Sequence, residues 1–265
     1  MNNFRKNLSL AWIICAFVNP LLALSAPPEG QRWIPIPELT DEFNTHDFDH
    51  SKWNDSNPQW KGRAPGFFSS TNVMQTDGLL ELSARKEALP EALQPYHNYS
   101  TSAVKSKHKV MYGYFEIRAK PMKAGVSSAF WFYDAQPEQW TEIDVFELGA
   151  GIPEHERAYH MNAHVFHTEA YKGSVADHIK YPATWTAPWP LADDYHLYGL
   201  EWDEKKIKWY VDGKVLRTLD NIYWHYPLYM NFDSEIMLDW FGLPMDNQLP
   251  ATYKIDYVRS WKRND

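Results

Sequence analysis

The sequence predicts an all-β protein, a sandwich or barrel of many strands with almost no helix. Three observations support this prediction. Over several stretches, every second residue belongs to one set of side chains and the residues between belong to another, as expected for the two faces of a strand. Turn-forming residues recur at short intervals between these stretches. The content of hydrophobic residues, 44%, is ample for a core between two sheets.

The individual strands can be read from the alternation. The clearest stretches are GLLELSARK at 78–86, YGYFEIRAK at 112–120, SSAFWFYD at 127–134 and TYKIDYVRSW at 252–261. Residues 206–219 predict a hairpin, because Asp212-Gly213 is a pair that a tight type I′ turn prefers. Only residues 85–96 hint at helix, and Pro90 restricts them to short turns.

Long strands of a large sandwich can curve, which gives one sheet a concave face. The chain has thirteen Trp and sixteen Tyr residues, whose rings can stack on sugars. The alternative for any one of these rings is a place in the core. A concave face lined with aromatic residues suits an extended polymer better than a small molecule.

Residues 1–26 are predicted to be a secretory signal peptide. A short basic start precedes an apolar run that Asn19 and Pro20 interrupt, and the small-residue sequence ALSA follows. Cleavage is expected after Ser25 or Ala26. A membrane anchor is the alternative, but the apolar run is short and contains a proline. We therefore predict a secreted protein, extracellular or periplasmic.

The remaining chain, 27–265, is predicted to be a single catalytic domain and a monomer. Cleavage would remove Cys15, the only cysteine, and with it thiol chemistry, disulfides and cysteine-type zinc sites. The net charge of −8 argues against nucleic acid or an anionic membrane as a partner.

The segment TEIDVFELG contains three acids whose spacing is irregular for a strand. Glu142 and Asp144 are two residues apart and share a face, whereas Glu147 should point to the opposite face. A β-bulge inserts one extra residue and reverses the alternation beyond it. One bulge between Asp144 and Glu147, with Val145-Phe146 as the doubled position, would bring all three acids to one face.

Three acids on one face favour hydrolysis of a glycosidic bond. In retaining glycosidases one carboxylate attacks the sugar carbon and another carboxyl group, roughly 5 to 5.5 Å away, protonates the leaving oxygen. Asp144 would raise the proton affinity of its neighbours and hold the nucleophile by a hydrogen bond. The alternative is a solvated acidic strand face, on which adjacent like charges would be unfavourable.

The motif EIDVFE resembles the Glu-x-Asp-x-x-Glu signature of glycoside hydrolase family 16 in its bulged form. Further blocks, in the same order, are similar to the β-agarase, β-porphyranase and carrageenase branch of that family: IPELTDEFN, WKGRAPGFF, DGLLELSARK, KVMYGYFEIRAK, SSAFWFYD and YKIDYVRSW. The resemblance implies a jelly roll of two curved antiparallel sheets with substrate across the concave one. It also implies a retaining mechanism with Glu142 as nucleophile, Glu147 as acid/base and Asp144 as assisting residue.

The resemblance also implies substrate-binding positions. Trp131 and Trp140 match tryptophans that stack on sugar rings in the cleft. Trp60 and Arg63 lie where related agarases and porphyranases build part of the cleft. Arg63 could bind a sulfate or a hydroxyl group through its fork of donors, and a surface ion pair is the alternative.

The stretch HMNAHVFH places His160, Asn162 and His164 on one face of a strand and apolar residues on the other. If this strand pairs beside the acids, the polar set faces the cleft. His164 is therefore a candidate substrate contact, with a structural role or metal binding as alternatives.

Asp256 matches a position that often binds structural calcium in the family, away from the cleft. Glu42 and the carbonyl of Gly78 are candidate companions, and a strand-end cap or an ion pair is the alternative for Asp256. No cofactor is expected for catalysis.

Taken with the resemblance, these residues predict an endo-acting retaining hydrolase that cleaves β-1,4 linkages of a red-algal galactan of agarose or porphyran type. The agar type comes first because GRAPGFF resembles agarases and porphyranases most, and a carrageenan- or furcellaran-type sulfated galactan is the first alternative. Residues 151–190 depart from the agarase blocks and are expected to shape the subsites. A non-catalytic polysaccharide-binding jelly roll is the alternative from another class, although a binder has no reason to keep three acids. Hydrolysis and transglycosylation stay open.

Overall fold

The computed structural model describes residues 26–264, so the predicted signal peptide lies outside the described residues except for Ala26. Helical structure within 26–264 is confined to four short 3-10 helices. They are Pro37–Leu39, Ser70–Asn72, Glu91–Leu93 and Asp246–Gln248. No helix in this part of the chain has the length and hydropathy needed to cross a membrane.

Seventeen strands make up nearly all of the regular structure of residues 26–264. In chain order they are β1 (Trp33–Pro35), β2 (Trp53–Asn54), β3 (Gly66–Phe68), β4 (Val73–Thr76), β5 (Leu79–Lys86), β6 (Tyr99–Val110), β7 (Gly113–Lys120), β8 (Ser128–Ala135), β9 (Trp140–Leu148), β10 (Ala158–His167), β11 (Ile179–Lys180), β12 (Ala183–Thr186), β13 (His196–Trp202), β14 (Lys206–Val211), β15 (Lys214–Asp220), β16 (Leu228–Ser234) and β17 (Ala251–Arg263).

The strands form two layers. The first layer, here the cleft sheet, has the order β2–β6–β16–β8–β9–β10, with β11 and β12 pairing along the outer edge of β10. The outer sheet has the order β4–β5–β17–β7–β13–β14–β15, with β1 beside the end of β17. All pairings are antiparallel except β3 with β6. Pairing of β5 with β6 joins the layers, so the whole is strongly curled. The predicted all-β sandwich is confirmed.

Alternation along the strands builds the core between the layers. Phe130 and Phe132 on β8 are fully buried, as the alternation of SSAFWFYD predicts. Phe132 packs on Phe115 of the outer sheet with ring centroids 4.9 Å apart. Phe146 of β9 packs on Tyr198 of β13 at 4.8 Å. Each such ring contributes about 2–3 kcal/mol by leaving water, so these contacts hold β8 and β9 firmly on the outer sheet.

The predicted hairpin and the near absence of helix are both confirmed. Strands β14 and β15 are joined by Asp212 and Gly213, whose φ angles of 49° and 75° are the left-handed values that a type I′ turn requires. Within residues 85–96 the only helical element is the 3-10 helix Glu91–Leu93.

Candidate active site

Strand β9 contains the predicted bulge, and its extra residue is Val145. On the β8 side, Phe130 pairs with Phe146 and Trp131 pairs with Asp144, so Val145 has no partner. The β10 side shows the same shift. Asn162 pairs with Asp144 and His160 with Glu147, so three residue steps on β9 correspond to two on β10. The bulge therefore interrupts pairing with both neighbours at one point.

The bulge brings the three acids to one face, as the spacing predicted. Val145 and Phe146 are consecutive residues, yet both are fully buried in the core. Glu142, Asp144 and Glu147 line one cavity on the opposite face. Regular alternation would have directed Glu147 into the core.

Deleting Val145 should convert the motif into Glu-x-Asp-x-Glu within a regular strand. Asp144 pairs with Trp131 and Glu147 pairs with Ala129, two residues away on β8. Without Val145, Asp144 and Glu147 would also be two residues apart on β9, so Glu147 would stay opposite Ala129 in a regular strand. We expect the variant to be less stable by roughly 1–3 kcal/mol, because a buried valine is lost. If the predicted glycosidase activity is present, the deletion variant should retain more of it than Glu147→Gln does.

The control for this deletion is one alanine inserted after Val145. The insertion also restores even spacing but moves Glu147 two strand positions along, about 6.6 Å. A folded insertion variant should therefore be inactive. A folded deletion variant as inactive as Glu147→Gln would contradict the bulge argument.

The register arranges cleft side chains of β16, β8, β9 and β10 in three rows, each containing one acid. The rows are Tyr229–Tyr133–Glu142–His164, Asn231–Trp131–Asp144–Asn162 and Asp233–Ala129–Glu147–His160. His160, Asn162 and His164 thus lie beside the acids on the polar face that HMNAHVFH predicts. Ala129 is the smallest member of the rows and leaves space beside Glu147.

The β8 and β9 members of these rows form the floor of a cavity of about 400 Å³, a size that suits part of an oligosaccharide. Seven of the residues singled out from the sequence line it: the three acids, Trp60, Arg63, Trp131 and Trp140. The complete lining is Asn57, Gln59, Trp60, Arg63, Ala129, Trp131, Tyr133, Trp140, Glu142, Asp144, Glu147, Phe166, Val175 and Glu235.

Three tryptophans, together with Tyr133 and Phe166, form the aromatic part of the cavity wall. Trp131 donates its Nε1–H to Asp233 Oδ2 at 2.7 Å, which fixes its ring. Trp60 meets Trp131 edge to face, with ring centroids 6.4 Å apart. Trp140 stacks on Phe166 at 4.6 Å and 20°. Rings fixed in this way can stack on a sugar with little further loss of side-chain entropy.

Two further acids, Asp233 and Glu235, lie buried next to the three on β9. No sequence motif singled them out, although Asn231, Asp233 and Glu235 alternate in NFDSE just as Glu142 and Asp144 do. Strand alternation alone would predict all three on one face. Asp233 is directly across Ala129 from Glu147.

Arg63 is the one cation among the described residues that line the cavity. Its Nε donates to Glu235 Oε2 at 2.7 Å, so it forms an ion pair within the cleft. The carboxylate of Glu235 raises the pKa of Arg63, and Glu147 and Asp233 contribute to the same shift. Arg63 therefore offsets part of the negative charge beside Glu147.

Burial and like charge hold protons on the central acids. Burial, followed by the charges of Asp144 and Glu147, raises the pKa of Glu142 well above its usual value. Burial, followed by the charges of Asp144 and Glu235, raises the pKa of Glu147 in the same way. One proton on either glutamate relieves the repulsion on the other, so the pair favours one charged and one neutral carboxyl group.

His164 contacts the acids instead of lining the cavity. Its Nε2 lies 3.1 Å from Asp144 Oδ2 and 3.8 Å from Glu142 Oε1. Its Nδ1 lies 2.9 Å from Nε2 of His178, a loop residue that no sequence pattern singled out. Contact of His164 with substrate stays a prediction.

Glu142, Asp144 and His164 each offer an oxygen or nitrogen atom, and these atoms lie within 4.8 Å of one another. His164 Nε2 lies at ion-pair distance from Asp144 Oδ2, a buried oxygen that has no hydrogen-bond partner among the described residues. Metal binding by His164 stays an alternative beside its predicted contact with substrate.

The residues predicted to bind calcium are engaged with arginines. Asp256 Oδ2 lies 2.8 Å from Arg118 Nη1. Both carboxylate oxygens of Glu42 accept hydrogen bonds from Arg259, at 2.7 and 2.8 Å. Gly78 lies next to the side chain of Asn44, two residues after Glu42. Both carboxylates are thus paired with arginines in this structure, and calcium binding stays a prediction.

Comparison with known proteins shows what the chain resembles. Residues 33–263 match the family model described as the GH16 domain of β-porphyranases A–D. The chain is 29% identical, over 90% of its length, to β-porphyranase D of Zobellia galactanivorans, and it spans 63% of that protein. It is 27% identical, over 96% of its length, to the κ-carrageenase of Pseudoalteromonas carrageenovora, of which it spans 71%.

The fold is likewise that of a solved structure. The crystal structure of porphyranase B from Zobellia galactanivorans superposes with a TM-score of 0.79, over 91% of this chain and 97% of that one, at 24% identity. The predicted jelly roll of two curved antiparallel sheets is confirmed.

Proposed function

The chain belongs to glycoside hydrolase family 16, in the group of the β-porphyranase A–D domains, and from this premise we propose that it is an endo-acting retaining hydrolase of agarose- or porphyran-type galactans. The bond it cleaves is a β-1,4 linkage. The observation that carries the proposal is the bulge at Val145, which brings Glu142, Asp144 and Glu147 to one face of β9 beneath an aromatic wall.

Glu142 is the nucleophile and Glu147 the acid/base of this reaction. Glu142 attacks the anomeric carbon while Glu147 gives its proton to the leaving oxygen, and a glycosyl ester forms on Glu142. Glu147 then takes a proton from water, whose oxygen displaces Glu142 from the sugar. The raised pKa of Glu147 supports its first role, because it favours the protonated form that a general acid needs.

Asp144 is the assisting residue beside Glu142, and its charge and a hydrogen bond to Glu142 both raise the pKa of that carboxyl group after burial has done so. Its own position is fixed by the strand pairs with Trp131 and Asn162 on its two sides. The oxocarbenium-like transition state is positively charged, so the surrounding acids also stabilise it electrostatically.

The charge of the cavity favours an agar-type substrate over a carrageenan. Four acids line the cavity, and Arg63, its one cation among the described lining residues, is already paired with Glu235. A galactose 4-sulfate at the cleavage point, as κ-carrageenan would place there, would face these carboxylates. A neutral galactose at that point, with any sulfate farther along the chain, avoids the repulsion.

The proposal is tested by reducing-end release from agarose, porphyran, κ-carrageenan and furcellaran. We expect cleavage of agarose, porphyran or both, and none by Glu142→Gln on any polymer. Cleavage of κ-carrageenan or furcellaran alone would replace the agar assignment by the carrageenan alternative. Binding without cleavage would support a non-catalytic module, and laminarin and mixed-linkage glucans would be tested next.

We propose that the enzyme acts outside the cytoplasm, as a monomer and without a catalytic cofactor. The predicted signal peptide supports export, as does a polymeric substrate too large to enter a cell. Recovery of the protein from the culture medium or periplasm, with an N-terminus at Ala26 or Pro27, would test export. Light scattering on the same material would test the monomer.

A further inference from the structure

A chain of two histidines connects the loop after β10 with the acids of β9. His178 Nδ1 lies 2.8 Å from the carbonyl oxygen of Val175. His178 Nε2 lies 2.9 Å from His164 Nδ1. His164 Nε2 in turn lies 3.1 Å from Asp144 Oδ2 and 3.8 Å from Glu142 Oε1.

The carbonyl at one end sets the direction of the hydrogen bonds. A carbonyl oxygen only accepts, so Nδ1 of His178 must carry a proton and donate it to Val175. Burial, together with the charges of His164 and Lys180, lowers the pKa of His178, which favours the neutral ring. Nε2 of a neutral His178 is then an acceptor, and His164 donates to it through Nδ1–H.

This direction leaves His164 Nε2 facing Asp144 Oδ2. Asp144 Oδ2 is buried and has no hydrogen-bond partner among the described residues. Two bare acceptors would repel each other at 3.1 Å, so we infer a proton on one of the two atoms. With the proton on nitrogen the pair is an imidazolium and a carboxylate. With the proton on oxygen it is a neutral imidazole and a neutral acid. In both cases the pair has no net charge.

Glu142 benefits because a nucleophile must be ionised. The charge of Asp144 is, after burial, the largest influence that raises the pKa of Glu142. A proton shared with His164 cancels that charge at a point 3.8 Å from Glu142 Oε1. The charged form of Glu142 is thereby favoured in a cavity that is otherwise acidic.

We propose that His178 is a positioning residue, which holds His164 with Nε2 toward Asp144 and Glu142 so that the shared proton keeps the nucleophile charged. The inference rests on the proposed role of Glu142. His178 touches neither substrate nor the reacting atoms, and it acts through the orientation and proton of His164.

Ring stacking fixes the place of His178. Its ring stacks on Phe166 with centroids 4.3 Å apart, and Phe166 stacks on Trp140 at 4.6 Å. Val175, three residues before His178, lines the cavity. The loop therefore links the cavity wall to the histidine pair.

Several charged groups surround the histidine pair. Lys180 is opposite His164 in the pairing of β10 with β11, and its charge disfavours protonation of His178. Asp177 precedes His178 and acts in the opposite sense, as does the Val175 carbonyl. The carboxylates of Asp144 and Glu142 are the groups that face His164 from β9.

The test compares His178→Ala, His178→Gln and the control His155→Gln by the pH profile of kcat/KM on the cleaved galactan. Glutamine Oε1 can occupy the place of Nε2 and accept from His164, whereas alanine cannot. His155 contacts His160 of β10 at 3.1 Å in a similar pair. His160 is in the Glu147 row, so this control tests for general disturbance of β10.

We expect His178→Ala to shift the acid limb of the pH profile of kcat/KM to higher pH by about one pH unit. At a given pH on that limb kcat/KM should fall about tenfold, and the loss should be smaller at higher pH. His178→Gln should recover most of the shift, and His155→Gln should leave the limb in place. An unmoved limb in His178→Ala, or equal shifts in the alanine and glutamine variants, would overturn the proposal.

A second measurement does not depend on activity. Long-range ¹H–¹⁵N spectra of the parent protein, assigned with the His178→Ala variant, report the tautomer of each histidine. We expect His178 in the neutral Nδ1–H form with His164 protonated on Nδ1. A His178 protonated on Nε2 alone would overturn the proposal even if no substrate has been found. Failure to cleave any galactan would instead count against the proposed function.

Discussion

Replacing Glu142 with glutamine is expected to lower kcat on the order of 10⁴-fold or more. The amide has nearly the shape of the carboxyl group but cannot attack the anomeric carbon, so the glycosyl ester does not form. Substrate binding should persist, because the aromatic wall is unchanged. Reducing-end assays measure the loss, and affinity electrophoresis in the same polymer measures binding. Turnover near that of the parent would remove Glu142 from the role of nucleophile.

The same variant should be at least as stable as the parent at neutral pH. A carboxyl group whose pKa is raised by folding contributes stability below its ordinary pKa and loses it as pH rises through the raised value. At pH 7 to 8, well above the ordinary pKa, folding must either keep a proton on Glu142 or bury its charge, and glutamine avoids both costs. We expect an equal or higher Tm at that pH, so that inactivity cannot be attributed to unfolding.

Replacing Glu147 with glutamine is expected to lower kcat on the polymer by about 10²- to 10⁴-fold. The loss should be much smaller for formation of the glycosyl ester from an aryl glycoside, because a good leaving group departs without a proton. The alkaline limb of the parent profile reflects loss of the Glu147 proton, which its raised pKa delays, and this limb should disappear in the variant.

The comparison of the two variants separates the two roles. Azide can attack the glycosyl ester without a general base, so it should accelerate Glu147→Gln on an activated substrate and yield a β-glycosyl azide. Glu142→Gln forms no ester and should show no such rescue. The reverse result would exchange the roles of Glu142 and Glu147.

Much of the site could be predicted because strand alternation is a strict rule. The positions of Glu142, Asp144 and Glu147 violate the alternation unless one residue is extra, and Val145 is that residue. The same rule placed Trp131 on the face of β8 opposite to Phe130 and Phe132, which are buried in the core. Trp60 and Arg63 came from resemblance alone, since no periodic pattern covers their loop.

The parts that were missed depend on contacts between distant segments. Glu235 and Arg63 are 172 residues apart, and only the fold brings them to 2.7 Å. His178 lies in a loop, where position follows from ring stacking on Phe166 and not from periodicity. For Asp256, sequence could not reveal that Arg118 would compete for the same oxygen.

The position of β9 has a consequence for how such an enzyme can diverge. The strand lies inside the cleft sheet, paired on both sides, so a change in it disturbs β8 and β10 together. Trp60, Arg63 and Val175 belong instead to loops at the cavity rim. Selection can therefore alter polymer preference by rewriting rim loops while bond breaking is inherited intact, and grafting those loops between relatives is a practical route to new specificities.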